Sequence, residues 1–368
     1  MNQFRLVRFE TKISSNVDKE DWNNQLKQST VSTASQMADC FLPHQLTYNS
    51  KPFFITISNS LGEIVGQLST IIHFTDYGLK TNIISKMLNS KFRFGTILRW
   101  SHGPIIYDMD NAEEIISSIL KAVDTIALTN HVNVISGTSP PQVENMPIGI
   151  FKKNGYEVKN WITYVTDLER DIDDVYHALH NKTRYDIRKG EKSNLEFEVS
   201  TSRESMDYYL KIKYPDKKIQ EKIKTKYDKF NDNIWKSLVQ NGYKKNFVIK
   251  INGKPEAVIT NFLFNRNVSQ VGVSTSNNNK YTGTFLTWNA IKWASENGYR
   301  TYDVGGANPN PISSKEKGIE LFKSKWASKK INYYICTKIV DKKKYRISRI
   351  IKQPSTIKNK LRKISKEV

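Results

Sequence analysis

The chain has 368 residues, and its 57 lysines and arginines against 36 aspartates and glutamates give a formal net charge of +21. Hydrophobic residues make up 38% and aromatic residues 11%, a composition that excludes wholesale disorder. The length favours two domains. The charge favours an anionic partner, such as nucleic acid, an anionic membrane face or a phosphorylated substrate, although a lysine-rich solvated surface would give the same total.

Several protein classes lack their sequence signatures here. No GxxxxGK[ST] or GxSxG motif occurs and no GxGxxG follows a strand, which argues against a P-loop NTPase, a nucleophile-elbow hydrolase and a dinucleotide-binding enzyme. Cys40 and Cys336 are too far apart for a metal motif, and two cysteines fit a reducing compartment. We see no signal peptide or membrane-spanning segment and expect a cytoplasmic protein, either free or peripheral at the inner membrane face.

In the first half, strand and helix patterns alternate. The helix predicted over 111–132 carries an apolar stripe at helical spacing, made of Ile115, Ile116, Ile119, Leu120, Val123, Ile126 and Ala127. Predicted strands are 51–74, divided by a turn, 97–108, interrupted at His102-Gly103-Pro104, and 132–137.

The second half repeats this order. Predicted strands are 195–200, the consecutive strands of 246–276, and 300–306; predicted helices are 171–194, the lysine-rich 203–240, and 282–299. We therefore predict an α/β (α+β) chain with two related mixed-sheet domains, 1–160 and 161–340, followed by a basic tail, 341–368.

The tail is dense in lysine and arginine, and residues 342–368 place isoleucines and Leu361 at helix-like spacing around Pro354. This pattern predicts a basic amphipathic segment in two pieces. A solvated tail, attachment to an anionic membrane, binding of nucleic acid and packing on the first domain all fit it.

Two stretches of the second half can bind an anion. The run 181–192 places Arg184 and Arg188 near a helix end, where they either grip phosphate or complement the helix C-terminus. In 271–293 a strand passes through small polar residues to a helix that opens after Gly283, where free backbone N–H groups can accept an anionic or carbonyl group. An ordinary loop and helix start fits the second stretch equally. His177 and His180 lack a third ligand nearby, so we predict no metal site.

The most informative stretch runs from Tyr302 to Trp326. We expect Tyr302–Gly306 to be the last core strand of the second domain. It exits over Gly305-Gly306, where the backbone can closely approach either another strand or a ligand. Ser313 and Glu316 have capping-box spacing, which predicts a new helix.

That helix carries a lysine among apolar residues. We expect Leu321 and Phe322 to pack inward, and Phe322 and Trp326 to hold Lys323 in a partly apolar wall. Such a lysine can bind phosphate or stabilise negative charge on a reacting carbonyl, although a surface lysine between two core aromatics fits the same pattern.

Taken in order, these motifs resemble the Fem-type (FemABX) peptidyltransferases, within the tandem GNAT-like acyltransferase superfamily. The similarity covers roughly 20–335, is strongest after 175, and rests on "STVSTASQ", "HGPIIYD", "HNKTRYDIRKGEKSNLEFEV", "TGTFLTWNAIKWASENGYRTYDVGG" and "GIELFKSKWAS". The chain departs from the family in lacking tyrosines around 271–276, which argues against a murein substrate. The start of the helix at Gly283 is not a full pyrophosphate loop, which argues mildly against acetyl-CoA.

The resemblance implies two GNAT-like domains with a cleft between them and acyl transfer to an amine. It implies no bound cofactor, and a donor that is either aminoacyl-tRNA or acyl-CoA. The acceptor would be a phosphate-bearing small molecule or lipid-linked precursor, with tRNA and an anionic membrane as further partners and no dedicated protein partner. A GNAT-type N-acetyltransferase acting on a sugar amine or small molecule, and a non-catalytic RNA- or membrane-binding protein, are the alternatives.

The resemblance also implies site residues. Lys323 takes the catalytic position, Arg184 that of an arginine that holds precursor phosphate, and Asp303 with the two glycines matches a D-x-G-G strand exit. The general base is not identified. The predicted substrate-binding residues are Arg184, Arg188, Ser274, Tyr281, Asp303, Gly305, Gly306, Phe322 and Trp326.

Overall fold

The computed structural model describes residues 9–74, 95–141, 143, 146–276 and 279–346. Within them the strands are Glu10–Ser14 (β1), Lys51–Ser58 (β2), Ile64–His73 (β3), Ile97–Arg99 (β4), Ile105–Ile106 (β5), Val134–Thr138 (β6), Glu157–Asp167 (β7), Glu196–Ser200 (β8), Lys244–Ile251 (β9), Lys254–Phe264 (β10), Asn267–Thr275 (β11), Thr301–Asp303 (β12) and Lys329–Ile339 (β13). The α-helices are Lys19–Lys27 (α1), Leu42–Tyr48 (α2), Ala112–Thr129 (α3), Gly149–Lys153 (α4), Ile172–Ala178 (α5), Asn181–Glu191 (α6), Ser205–Lys213 (α7), Lys217–Ile234 (α8), Thr282–Glu296 (α9) and Ser314–Ser324 (α10).

One continuous sheet joins the described strands in the order β1-β2-β3-β4-β6-β13-β7-β12-β11-β10-β9-β8, with β5 paired to β3. Two neighbouring pairs are parallel, β4 with β6 and β11 with β12, and the other pairs along the path are antiparallel. Each half of the sheet therefore contains one parallel pair, which confirms the predicted mixed α/β fold.

A crossover helix joins the strands of each parallel pair, as parallel pairing requires. The seven predicted stripe positions of α3 are all buried, which confirms that helix. The sequence predicts that the inner face of α9 consists of Phe285, Leu286, Ala290, Ile291, Trp293 and Ala294. These residues are buried except for Trp293, which is half-buried. The chain leaves α9 through Gly298, whose φ of +74° suits glycine.

Strands β7 and β13 are exchanged between the halves. β13 comes last in the sequence but lies between β6 and β7, while β7 lies against β12 of the second half. We expected Tyr302–Gly306 to be the last core strand of the second half, and this is wrong because β13 follows it. Residue 160 falls within β7, so the domain boundary stays a prediction.

The exchange also carries side chains between the two cores. Cys336 of β13 is fully buried in the first-half core around α3, and Ile162 and Tyr164 of β7 are buried in the second-half core around α9. A third cluster joins Trp22 and Phe41 of the first half to Phe264 of β10. The halves are therefore held together by backbone ladders and by apolar contacts.

Residues 347–368, most of the predicted amphipathic tail, lie outside the described residues. Among the described helices, none combines the length and the apolar character that crossing a bilayer would need.

Candidate active site

A wedge opens where the parallel strands β11 and β12 separate. They pair at three positions only, from Asn267 opposite Thr301 to Ser269 opposite Asp303. β11 then continues to Thr275, whereas the other strand ends at Asp303. Beyond residue 269, β11 therefore keeps β10 as its neighbour on one edge but has no strand partner on the edge that faces β12.

Two features shape the walls of this wedge. Gly305 has a φ of +85°, and a Cβ there would lie 3.2 Å from the Gln270 carbonyl oxygen and 3.2 Å from Lys323 Nζ. On β11, Gly272 and Gln270 each pair with a residue of β10, but Val271 between them has no partner in that strand. A skipped residue is a β-bulge, which leaves its peptide groups outside the ladder; Val271 is also 49% exposed.

The wedge opens into a cavity of about 250 Å³ between the two halves. Its walls include Thr33, Ser101 and His102 from the first half and Gln270, Asp303 and Gly306 from the second. Thr163 and Tyr333, from the exchanged strands β7 and β13, also line it. A larger cavity of about 690 Å³ lies in the first half beside α2 and β2, and no predicted site residue lines it.

Asp303 is the buried carboxylate of the cavity, and its side chain is fixed by two donors. It is 7% exposed. Its Oδ1 accepts hydrogen bonds from Thr163 Oγ1 and, at 2.7 Å, from the backbone N–H of Gly305. Burial raises the pKa of Asp303, and these donors together with the charge of Lys323 oppose that rise.

Lys323 reaches the same strand exit from α10. Its Nζ donates a hydrogen bond of 2.9 Å to the Gly306 carbonyl oxygen. Burial lowers the pKa of Lys323, and the Asp303 carboxylate opposes this. The start of α10 is the predicted capping box: Glu316 N–H donates to Ser313 Oγ, and Ser313 N–H donates to Glu316 Oε2. The capping box and the lysine could both be predicted from the sequence. The proximity of Lys323 to Asp303 arises only from the fold.

The aromatic residues around Lys323 support it from the core side. Phe322 is half-buried, and its ring centroid lies 6.1 Å from that of Trp326. Trp326 is 2% exposed, so it packs in the core and does not line the cavity. The expectation that Leu321 packs inward is wrong: it is 61% exposed, because the inner face of α10 passes through Phe322 and Lys323 instead.

His102 is a cavity residue that the sequence reading used only to mark a break in a strand. Its φ is +53°, and its backbone N–H donates to Thr138 Oγ1 at 2.8 Å. Its Nδ1 lies 3.1 Å from Thr33 Oγ1, and its ring is edge-on to Tyr333 at 6.0 Å. Burial lowers the pKa of His102 to about 4, so the imidazole is neutral at pH 7. The sequence signal that could have identified His102 as a site residue is a histidine directly before Gly-Pro within a predicted strand.

The remaining predicted residues lie outside the cavity walls. Arg184 is on α6 and donates to the His177 carbonyl oxygen at 2.7 Å and to Asn181 Oδ1. Arg188 is exposed on the same helix. Ser274 is buried near the end of β11, and Tyr281 immediately precedes α9.

Comparisons with known proteins show which fold this chain shares. Residues 178–312 match the model of the acetyltransferase (GNAT) domain. The crystal structure of FemX superposes with a TM-score of 0.67 at 15% identity, covering 92% of this chain and 99% of that chain. No curated protein matches the sequence.

Two further solved structures share the architecture. A tandem GNAT protein from the clavulanic acid biosynthesis pathway has a TM-score of 0.55 at 9% identity, covering 90% of this chain and 98% of that chain. The structure of L-PGS from Bacillus licheniformis has a TM-score of 0.50 at 14% identity, covering 91% and 97%. The chain has a tandem GNAT-like fold, and its second half contains a match to the GNAT domain.

The GNAT match contains β11, α9, β12 and both glycines of the strand exit, so the wedge belongs to the matched domain. Lys323 lies just beyond the match. The cavity is completed by Thr33 and His102, which the family model does not reach.

Proposed function

We propose that this protein is an acyltransferase, which moves an acyl or aminoacyl group from an activated ester or thioester to an amine held in the cavity between its halves. The observation that carries the proposal is the separation of β11 from β12, because it opens directly onto the cavity that contains Asp303. A donor in the wedge and an acceptor in the cavity would meet at Gly305 and Gly306.

The donor is either aminoacyl-tRNA or acyl-CoA, and both carry an anionic portion beyond the acyl group. The bulge at Val271 supplies a peptide group that can contact the acyl carbonyl. Further along, a Cβ on Gly283 would lie 3.8 Å from Thr275 Cγ2, so the start of α9 is adjacent to the end of β11. A helix N-terminus attracts anions, so the start of α9 could bind the anionic portion of either donor. Ser274 and Tyr281 would then lie beside that portion of the donor.

Lys323 is proposed to stabilise the oxyanion of the tetrahedral intermediate. An ammonium group has three donors, and the Gly306 carbonyl uses one of them. The hydrogen bond fixes the ammonium at the meeting point of donor and acceptor. Positioning and such electrostatic stabilisation supply most of the rate in acyl transfer.

The acceptor is proposed to be an amine of a phosphate-bearing cell-envelope or sugar precursor. Arg184 is offered as the phosphate contact, although in this structure its guanidinium binds α5 and α6 atoms. The alternative, N-acetylation of a sugar amine from acyl-CoA, is favoured by the acetyltransferase description of the matched domain.

The donor test is a transfer assay at stated salt with acetyl-CoA and with alanyl-tRNA, each offered with glucosamine and with glucosamine 6-phosphate. Salt must be fixed because a protein of charge +21 binds tRNA non-specifically. We expect amide formation from one of the two donors and a preference for the phosphorylated amine. Binding of a donor without any transfer would instead support the non-catalytic alternative.

The site test is Lys323→Met. We expect transfer to fall about 10²–10³-fold, because the variant loses the charge opposite the oxyanion. The fold should persist, since the methionine side chain fills a similar volume. Lys317→Met, on an exposed face of the same helix, is the matched control and should keep full turnover. Unchanged turnover in Lys323→Met would contradict the assignment.

A further inference from the structure

The reaction proposed above needs a group that takes a proton from the acceptor amine. Three titratable side chains line the cavity, Asp303 from the second half, His102 from the first and Tyr333 from β13. Burial raises the pKa of Tyr333, so its hydroxyl stays protonated, and Asp303 and His102 are the two that can be compared for this role. Each is held by hydrogen bonds, and each lines the same cavity of about 250 Å³.

Asp303 has one oxygen bound and one available. Both of its donors, Thr163 Oγ1 and the Gly305 N–H, bind Oδ1. Among the described residues, Oδ2 has no hydrogen-bond partner. The carboxylate is therefore locked in one orientation by Oδ1 while Oδ2 is left to bind a ligand in the cavity it lines.

His102 fits the role less well. Its Nδ1 is occupied by Thr33, and burial makes the imidazole a weak base. A carboxylate whose pKa is raised by burial holds a proton more strongly than an ordinary aspartate does.

We propose that Asp303 is the general base of the transfer, with Oδ2 accepting the proton of the acceptor amine. This rests on the proposed function. As the proton passes to Oδ2, the amine nitrogen bonds to the acyl carbon. The bond from that carbon to the donor oxygen or sulfur then breaks, and the departing atom takes the proton from Asp303. The donor and the amine become an amide and an alcohol or thiol, with no other reactant.

With this assignment, the residues around the strand exit have separate roles in the reaction. Lys323 lies on one side of Gly305 and Gly306 and bears positive charge toward the oxyanion, and Asp303 precedes them and receives the proton. Thr163, from the exchanged strand β7, is a positioning residue because it acts through the orientation of the carboxylate.

The test uses Asp303→Asn in the full-length chain, with whichever of acetyl-CoA and alanyl-tRNA supports transfer in the wild type. Two nucleophiles are compared, glucosamine 6-phosphate and hydroxylamine. Hydroxylamine is neutral at pH 7 and reacts without a strong base, so it reports whether the rest of the site is intact. The asparagine keeps an oxygen that can accept from Thr163 and Gly305.

We expect Asp303→Asn to lower transfer to glucosamine 6-phosphate about 10²–10⁴-fold, the usual contribution of a general base, and to keep hydroxylamine acylation within about tenfold. Equal losses with both nucleophiles would show a structural role and overturn the proposal. Unchanged transfer to the sugar amine would overturn it as well. A wild type that acylates neither nucleophile would contradict the proposed function itself and this assignment with it.

A second variant guards against misfolding of the first. Thr163→Val removes one donor to Oδ1 but keeps the carboxylate. We expect about a tenfold loss with the sugar amine, smaller than that of Asp303→Asn, and a smaller loss with hydroxylamine than with the sugar amine. A loss larger than that of Asp303→Asn would contradict the assignment of the base to Asp303.

Discussion

At the residue scale, Gly306 binds Lys323 and also lines the wall of the cavity. Its carbonyl oxygen holds Lys323, and its missing side chain leaves room for Tyr333 and Trp161. A Cβ at this position would lie 2.3 Å from Tyr333 Oη and 2.7 Å from Trp161 Nε1. The close approach predicted for the glycine pair is thus an approach of side chains from the exchanged strands.

Gly306→Ala is expected to destabilise the protein by about 1–3 kcal/mol, the usual cost of overpacking. It should lower transfer at least tenfold because Tyr333 must move. Chemical denaturation and the transfer assay measure the two effects. Gly318→Ala is the control: nothing lies within 4 Å of a Cβ there, and alanine in an exposed helix should stabilise by ~0.5–1 kcal/mol. Equal behaviour of the two variants would contradict the packing argument.

At the element scale, helix α2 of the first half packs on α8 of the second through aromatic rings. The His44 ring lies 4.9 Å from Phe230 and 5.1 Å from His73. Burial lowers the pKa of His44 to about 4 and that of His73 to about 3, from an ordinary value of 6.5. Lys244, on β9, adds to the effect at His44. Both imidazoles are therefore neutral in the folded protein at pH 7.

This contact predicts a stability that falls in acid. Between pH 6.5 and about 4 the unfolded chain binds protons at His44 and His73 that the folded chain does not, so the free energy of unfolding decreases as the pH falls. Each unit of pKa difference corresponds to about 1.4 kcal/mol. Urea unfolding across this range should show a smaller slope for His44→Phe than for wild type. Leu128→Gln, a change between non-titratable side chains at an exposed position of α3, should keep the wild-type slope. An unchanged slope in His44→Phe would refute the prediction.

At the scale of the whole molecule, the exchange of β7 and β13 ties the two halves into one folding unit. β13 pairs with β6 along one edge and with β7 along the other. Its Cys336 fills the first-half core although it follows the whole second half in sequence. Neither half can complete its sheet without a strand from the other.

Ending the chain after residue 328, which removes β13, is therefore expected to unfold both halves, since β6 and β7 each lose a ladder and both are left with open edges. Circular dichroism and thermal melting measure the outcome. Ending it after residue 346 keeps every described element and should preserve the wild-type melting temperature. A cooperative melting transition in the 1–328 chain would show that the halves fold independently.

The elements could be predicted from the sequence because their signals are local. The apolar stripe of α3, the capping box at Ser313 and the strand exit at Gly305 each depend on residues a few positions apart. The same local reading assigned Leu321 to the wrong face of its helix. It also did not predict β13, because the lysines of this segment are not typical of a strand that has neighbours on both edges.

By itself the sequence determined the α/β class, the order of elements and the stretch that carries Asp303 and Lys323. Only the tertiary structure decided that Thr163 and Tyr333 of the exchanged strands, together with His102 of the first half, complete the cavity around Asp303. The physical reason is sequence distance: a hydrogen bond between Thr163 and Asp303 joins residues 140 positions apart. Such a contact cannot be predicted from helical or strand periodicity, because it is formed only when distant strands pair and the core packs.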